Sequence, residues 1–323
     1  MTPMSRFPLF PEAASTLANS VDTLFFVWLA IAGLVSLVVA ALIVWFAVKY
    51  RRGSKANRQM KSGALEEREE HGLELAWILL PLVIFLSMFI WAAKLYYVHA
   101  AAPPDAMEIY VVGKQWMWKL QHSDGRREIN ELHVPVGRAV KLVMISEDVI
   151  HDFSVPVFRI KQDVLPGRYT SLWFAATKAG DYRLFCSQYC GTDHARMIGH
   201  VVAMEPAAFQ RWLTAGNEQP GLVEQGATLF RKYGCSGCHG ANTSVQAPRL
   251  DALYGAQVEL ADGSSVIADE RYIYDSVMLP DKEIVAGYPA IMPSYQGQIG
   301  EEDLIAIVKY IKSLRGPSGG DKP

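Results

Sequence analysis

The chain has 323 residues, half of them apolar, with 31 Lys and Arg against 33 Asp and Glu and a formal net charge of −2. That length admits two domains or more. The balanced charge gives no basic footprint of the kind nucleic-acid binding needs, so no nucleic-acid partner is expected.

The apolar residues are unevenly spread. Leu24 to Val48 contains no charged residue, and Leu75 to Ala93 is a second such run. At about 1.5 Å rise per residue, each is long enough to cross roughly 30 Å of hydrocarbon. Runs this long fit spanning helices better than buried core helices, and Pro81 is tolerable where other partners take up its freed carbonyl. Between the runs lie Lys49, Arg51, Arg52, Lys55, Arg58, Lys61 and Arg68. The positive-inside rule puts this loop in the cytoplasm, and the neighbouring Glu66, Glu67, Glu69 and Glu70 count little in that rule. Both termini then lie outside. The N-terminus, with only Arg6 before a Pro-rich stretch, does not look like a cleaved signal peptide.

From Met107 to Met204 the pattern changes to short alternating strands: EIYVVGKQWMWKL, AVKLVMIS, TSLWFAA, DYRLF and HVVAM. Turn residues at 123–125, 134–137, 165–167 and 178–180 separate them. This spacing predicts a small antiparallel sandwich or barrel. Glu205 to Gly221 holds a short helix and ends in Pro-Gly. Beyond it, VEQGATLFRKYG has helix spacing, and EEDLIAIVKYIKSL at 301–314 is an amphipathic helix with acids first and lysines late, as the helix dipole favours.

All four cysteines fall in two metal-type motifs. Cys186, Cys190, His194 and Met197 share the run CSQYCGTDHARM, and DVIHDFSVP supplies His151 at a turn. Soft sulfur and imidazole donors suit copper and iron centres that change oxidation state. Two thiolates can bridge two metal ions while two imidazoles terminate them. A Cys-x3-Cys disulfide and the single-copper site of an assembly chaperone are the rival readings. Neither explains the histidine and methionine directly after the pair. The remaining histidines (His71, His99, His122, His133, His200) are expected on loops or surfaces.

In CSGCH, Cys235 and Cys238 are placed to form thioethers to a haem, with His239 as the proximal ligand. A bare CxxCH is also found in thioredoxin-type and zinc sites, but there is no second CxxC and no βαβ pattern here. No histidine follows His239, and of the later methionines Met292 precedes a proline in the turn-rich GYPAIMPSY. Met292 is therefore expected as the distal ligand, in resemblance to the class I cytochrome c fold, and Met278 as packing. Methionine ligation raises the haem potential. The segment from Gly221 carries 9 Lys and Arg against 13 Asp and Glu, so charge steering of a donor stays open.

His151, the Lys161, Asp163, Pro166, Gly167, Arg168 context and CSxxCGxxHxxM together resemble the CuA site of cytochrome c oxidase subunit II. The resemblance runs in order from about residue 20 to 205: helical hairpin, GKQWMW segment, copper loop on a cupredoxin sandwich. It implies that His151, Cys186, Cys190, His194 and Met197 are copper ligands and that the Gln188 carbonyl completes a dinuclear site. The family usually has glutamate where this chain has Gln188; a backbone ligand is unaffected, but an interface magnesium site is put in doubt. Met117 stands where tyrosine is common. Trp116 matches the tryptophan at which electrons enter, against the bland reading of a packed strand aromatic. Glu74 matches the mouth of a proton channel, against that of a helix N-terminal acid.

The resulting division has an N-terminal periplasmic arm at 1–22 and a transmembrane hairpin at 23–99 with its cytoplasmic loop at 49–73. An antiparallel β cupredoxin CuA domain follows at 100–205, then a linker at 206–221, an all-α class I cytochrome c domain at 222–316 and a disordered tail at 317–323. Such a fusion resembles the caa-type oxidases of the bacterial plasma membrane. It implies covalent haem c, partner subunits I and III, membrane lipid, and an external donor such as cytochrome c or a quinol-oxidising complex. Electrons are expected to pass from haem c through CuA to subunit I, where oxygen becomes water and protons are pumped. The CuA subunit of a nitric oxide reductase and a copper-delivery protein remain the alternatives.

Overall fold

The computed structural model describes residues 11–56, 64–215, 220–240, 243 and 245–314. The expected tail, the first ten residues of the arm, residues 57–63 of the loop and residues 216–219 of the linker lie outside the described residues. The chain divides into two compact units, one formed by residues 16–101 and the other by residues 1–15 with 102–323.

The first unit is a pair of long helices, α1 (Thr16–Lys49) and α2 (Ala64–Ala100). Both are long and apolar enough to cross a membrane. Their large side chains point outward in every direction; Leu37 is 71% and Trp77 73% exposed, as suits lipid rather than a protein core. Trp28 meets Phe85 across the pair, ring centroids 5.8 Å apart. Two boundaries differ from expectation. Helix α1 begins inside the arm expected at 1–22, and α2 takes in the charged stretch from Ala64, within the loop expected at 49–73. Charged residues are good helix formers, and a helix already nucleated by its apolar part propagates through them.

The second unit opens with ten strands: β1 (Met107–Lys114), β2 (Met117–His122), β3 (Arg127–Ile129), β4 (Glu131–Pro135), β5 (Val140–Ser146), β6 (His151–Val155), β7 (Ile160–Val164), β8 (Thr170–Phe174), β9 (Gly180–Cys186) and β10 (Ile198–Met204). They form two five-stranded sheets, ordered β3-β2-β1-β5-β8 and β4-β10-β9-β6-β7. The sandwich is not wholly antiparallel as expected, because β1 pairs with β5 and β10 with β4 in parallel. The single strand read in EIYVVGKQWMWKL is a hairpin, with β1 and β2 paired from Ile109↔His122 to Lys114↔Met117. Alternation continues across a two-residue turn, so the pattern alone does not reveal the reversal.

Helix α3 (Pro206–Thr214) follows, with proline at its start where no backbone N–H is needed. The remainder carries α4 (Leu222–Lys232), the short α5 (Ser236–His239), hairpin strands β11 (Gln257–Glu259) and β12 (Ser265–Ile267), α6 (Glu270–Met278) and α7 (Glu301–Ser313). This helical part is not purely α, because the hairpin interrupts it. Asp269 caps α6, its carboxylate accepting the Tyr272 N–H at 2.8 Å.

The helical part is packed onto the sandwich rather than merely tethered to it. One buried apolar cluster contains Tyr110, Val112, Val143 and Ile145 of the sheet together with Leu304, Ile305 and Val308 of α7. This explains why β1 is buried on both faces from Ile109 to Val112. Ion pairs close the seam. Glu108 meets Lys309 at 2.8 Å and Lys312 at 3.3 Å, while Lys119 meets Glu302 at 2.8 Å. Burial opposes the Glu108 charge, but the lysines win and hold its carboxyl at about 2.

Candidate metal centre and haem cavity

The copper-type residues meet at one end of the second sheet. Strand β9 ends at Cys186 and β10 starts just after Met197, so the intervening loop is held by a single antiparallel pair. Its ends are pinned by Cys186 N–H to the Met197 carbonyl at 3.2 Å and Ser187 N–H to the Asp152 carbonyl at 3.1 Å. His151 does not sit in a turn but opens β6, fully buried.

The side chains converge. The Cys186 and Cys190 sulfurs are 3.8 Å apart and not bonded to each other. Cys186 Sγ lies 3.9 Å from His151 Nδ1 and 3.2 Å from the Gln188 carbonyl oxygen. Cys190 Sγ lies 3.4 Å from His194 Nδ1 and 3.8 Å from Met197 Sδ. The donor atoms of His151, Cys186 and Cys190 all fall within 4.8 Å of one another. Burial works against ionising Cys186, yet the adjacent His151 draws its thiol below the usual range. Cys190, buried beside that charge, is pushed upward. A multivalent cation is what would let both ionise together.

Trp116 flanks this centre. A side chain at Gly191 would put its Cβ 3.4 Å from the Trp116 indole and 2.8 Å from Gln115 Nε2, at a φ of +119°. Only glycine lets the loop approach the β1–β2 turn this closely. Trp118, two residues on in β2, is fully buried and meets Phe153 edge-on, ring centroids 5.2 Å apart. Glu74 is exposed on α2, in the other unit.

In the helical part, Cys235, Cys238, His239 and Met292 line one cavity of about 570 Å³. Its walls are largely apolar, with Ile273, Val277 and Ile307 among them. His239 Nδ1 bonds the Pro248 carbonyl at 2.8 Å, so it carries the hydrogen and Nε2 is left as the donor atom. The loop bearing Met292 is pinned to α6 by Ser294 Oγ to the Met278 carbonyl at 2.7 Å and Tyr295 N–H to the Val277 carbonyl at 3.1 Å. Met278 is itself buried in the apolar core.

Three family models match the chain in order. They are the cytochrome c oxidase subunit II transmembrane domain over 3–95, its periplasmic domain over 126–204, and cytochrome c over 223–315. The chain belongs to the cytochrome c oxidase subunit II family. Cytochrome c oxidase subunit 2 of Alkalihalophilus pseudofirmus is 28% identical over 302 residues, covering 87% of this chain and 83% of that one. The Synechocystis subunit 2 is 26% identical over 308 residues, covering 81% and 91%. A solved periplasmic domain of subunit II from Bradyrhizobium japonicum is 31% identical, covering 35% of this chain and 94% of that one, with a TM-score of 0.34. This subunit of an oxidoreductase complex is thus a membrane protein with an electron-accepting role, working with the other oxidase subunits. Its domains imply copper and haem c. The residues fit both groups: two sulfurs, two imidazoles, a thioether and a carbonyl at one point suit copper. Two thiols and a correctly oriented imidazole around an apolar cavity suit the haem.

Sequence reasoning missed several residues. His122 is not at the surface but buried in β2, bonded through Nε2 to Glu128 at 2.7 Å. His133 in β4 takes the other Glu128 oxygen at 2.5 Å and stacks on Trp212 of α3 at 4.4 Å. Together they fasten α3 to the sandwich. Asp148 and Gln115, which touch these side chains, lie in the runs DVIHDFSVP and GKQWMW, but nothing in those runs marks them out from their neighbours.

Proposed function

We propose that this chain accepts electrons from an external donor at haem c and passes them through a dinuclear CuA centre to subunit I, where oxygen is reduced to water and protons are pumped. The donor is a cytochrome c or a quinol-oxidising complex, subunit III completes the assembly, and lipid of the bacterial plasma membrane surrounds α1 and α2. The sandwich and helical parts lie on the periplasmic side, as the basic loop between the helices requires.

In this reading His151, Cys186, Cys190, His194, Met197 and the Gln188 carbonyl hold the copper pair. The observation that carries it is the convergence of these six donors, each within 3.9 Å of a cysteine sulfur. Cys235 and Cys238 tether the haem, and His239 and Met292 ligate it. Trp116, packed on the copper loop, is the point where electrons enter the copper centre, and Glu74 stands at the mouth of a proton channel. Copper accepts and releases one electron at little reorganisation cost when two ions share it, and the protein's part is to keep the donors fixed. The test is metal and haem analysis of the purified full-length chain with electron paramagnetic resonance. Two coppers sharing one unpaired electron and one covalent haem per chain are expected. One labile copper, or a Cys186–Cys190 disulfide, would refute the reading.

A further inference from the structure

Asp148 stands between β5 and β6, three residues before His151. Its Oδ1 accepts from His151 Nε2 at 2.8 Å, and its Oδ2 accepts the Gln115 backbone N–H at 2.8 Å. The Val149 N–H also donates to Oδ1 at 2.7 Å, and the Ser146 hydroxyl, which donates to the Val149 carbonyl at 2.5 Å, accepts the Asp148 N–H at 3.2 Å. Held from several directions, the carboxylate has little freedom to turn. Gln115 in turn donates from its side-chain amide to the Cys190 carbonyl at 2.7 Å, and the next residue is Trp116. One carboxylate therefore ties the Trp116 turn to His151, while its neighbour ties the same turn to Cys190.

The bond also decides where the imidazole proton sits. An ionised carboxylate can only accept, so Nε2 carries the hydrogen and Nδ1, facing Cys186, is left with its lone pair. The other histidine differs. Among the described residues no carboxylate is bonded to the His194 ring, which lies half-buried beside Tyr189 with centroids 5.7 Å apart.

We infer that Asp148 is a positioning residue of the copper centre: it sets the His151 tautomer and braces the Trp116 turn against the ligand loop. The inference rests on the copper reading of residues 151–197. It predicts that Asp148→Asn is more harmful than its near-identical shape suggests. The amide has one acceptor, so whichever way it turns it presents N–H to either the Gln115 N–H or His151 Nε2. If it faces His151, the ring answers by moving its hydrogen to Nδ1, the tautomer that cannot ligate through that atom.

The experiment uses the full-length chain with haem in place, whose absorption spectrum reports folding. Nitrogen NMR of labelled histidine in copper-free protein reads the His151 tautomer, and copper titration against a chelator reads affinity. Wild type is expected as the Nε2–H form. Asp148→Asn should show Nδ1–H or a mixture and bind copper about 10- to 100-fold more weakly. Asp148→Glu, which keeps the carboxylate, should recover part of the affinity and of the copper hyperfine pattern. An unchanged tautomer, affinity and hyperfine pattern in Asp148→Asn would overturn the inference alone. A wild-type chain that takes up fewer than two coppers would instead overturn the copper reading, and this inference with it.

Discussion

The two cofactor regions are built on opposite plans. The sulfur and imidazole groups at the end of the second sheet are brought together by strand ends and by a loop pinned through backbone hydrogen bonds. Cys186 faces His151 from a different strand, 35 residues upstream. Cys235, Cys238, His239 and Met292 instead line a largely apolar cavity walled by parts of α6 and α7 and by the connecting segments around Leu250 and Val285, and the first three lie within five residues of one another. A site of the first kind is damaged by losing one donor atom. A site of the second kind is damaged by disturbing packing well away from the cofactor. Substitutions should therefore separate the two centres in one molecule.

The largest separation is expected for Cys190→Ser. Among the described residues that sulfur alone lies within 3.8 Å of Cys186 Sγ, His194 Nδ1 and Met197 Sδ together. The mixed-valence copper signal should vanish while the haem spectrum of the same sample stays at wild-type intensity. A surviving two-copper signal would show that the loop assembles the pair without this thiol. The converse is Gly226→Ala, in α4. Its Cβ would fall 2.0 Å from the Ala306 carbonyl oxygen and 2.7 Å from Tyr310 Cβ, both on α7. The helices must separate, at a cost of about 1–3 kcal/mol or more. Thermal unfolding followed at the haem band should drop, with the copper hyperfine pattern retained. An unaltered midpoint would mean that the α4–α7 crossing yields more easily than its geometry implies.

A finer division runs between the two methionines of the haem part. Met292→Leu should keep the haem attached but lower its potential by a sizeable fraction of the roughly 0.8 V that axial ligands span. Met278→Leu, confined to the apolar core, should leave the potential unchanged. Potentiometric titration of both variants checks this, and the reverse order would reassign the distal ligand.

What the sequence disclosed follows the same divide. The converging side chains were legible because Cys186, Cys190, His194 and Met197 lie within twelve residues, although His151, expected at a turn, opens β6. The membrane helices were legible because an unbroken apolar run has few other fates. The parallel pairs β1·β5 and β4·β10 were not, since nothing local marks which strands become neighbours. Nor was the seam between sandwich and helical part, where Lys309 meets Glu108 across 201 residues. A charge count over the helical part concealed that two of its lysines are turned inward to Glu108. His122 looked like a surface histidine because its partner Glu128 and cover Trp212 come from other elements.

That seam supplies the smallest expected effect and the one that depends on pH. Glu301 at the start of α7 accepts the Tyr274 hydroxyl at 3.0 Å, but its other oxygen is buried without a partner. Burial, reinforced by the charge of Glu147, pushes its carboxyl from 4.5 up to about 7. The native state thus holds a proton that the unfolded chain has already released, across the window from about 4.5 to 7. Stability from this group is complete below that window, falls as pH rises through it and is flat above it. Glu301→Gln keeps a neutral side chain at every pH and should abolish this slope. The variant should then unfold a few degrees higher than wild type at pH 8, on the order of 2–5 °C, and no higher at pH 4. Equal midpoints at pH 8 would mean that water reaches the seam and solvates the carboxylate, so that the helical part sits on the sheet more loosely than its apolar cluster suggests.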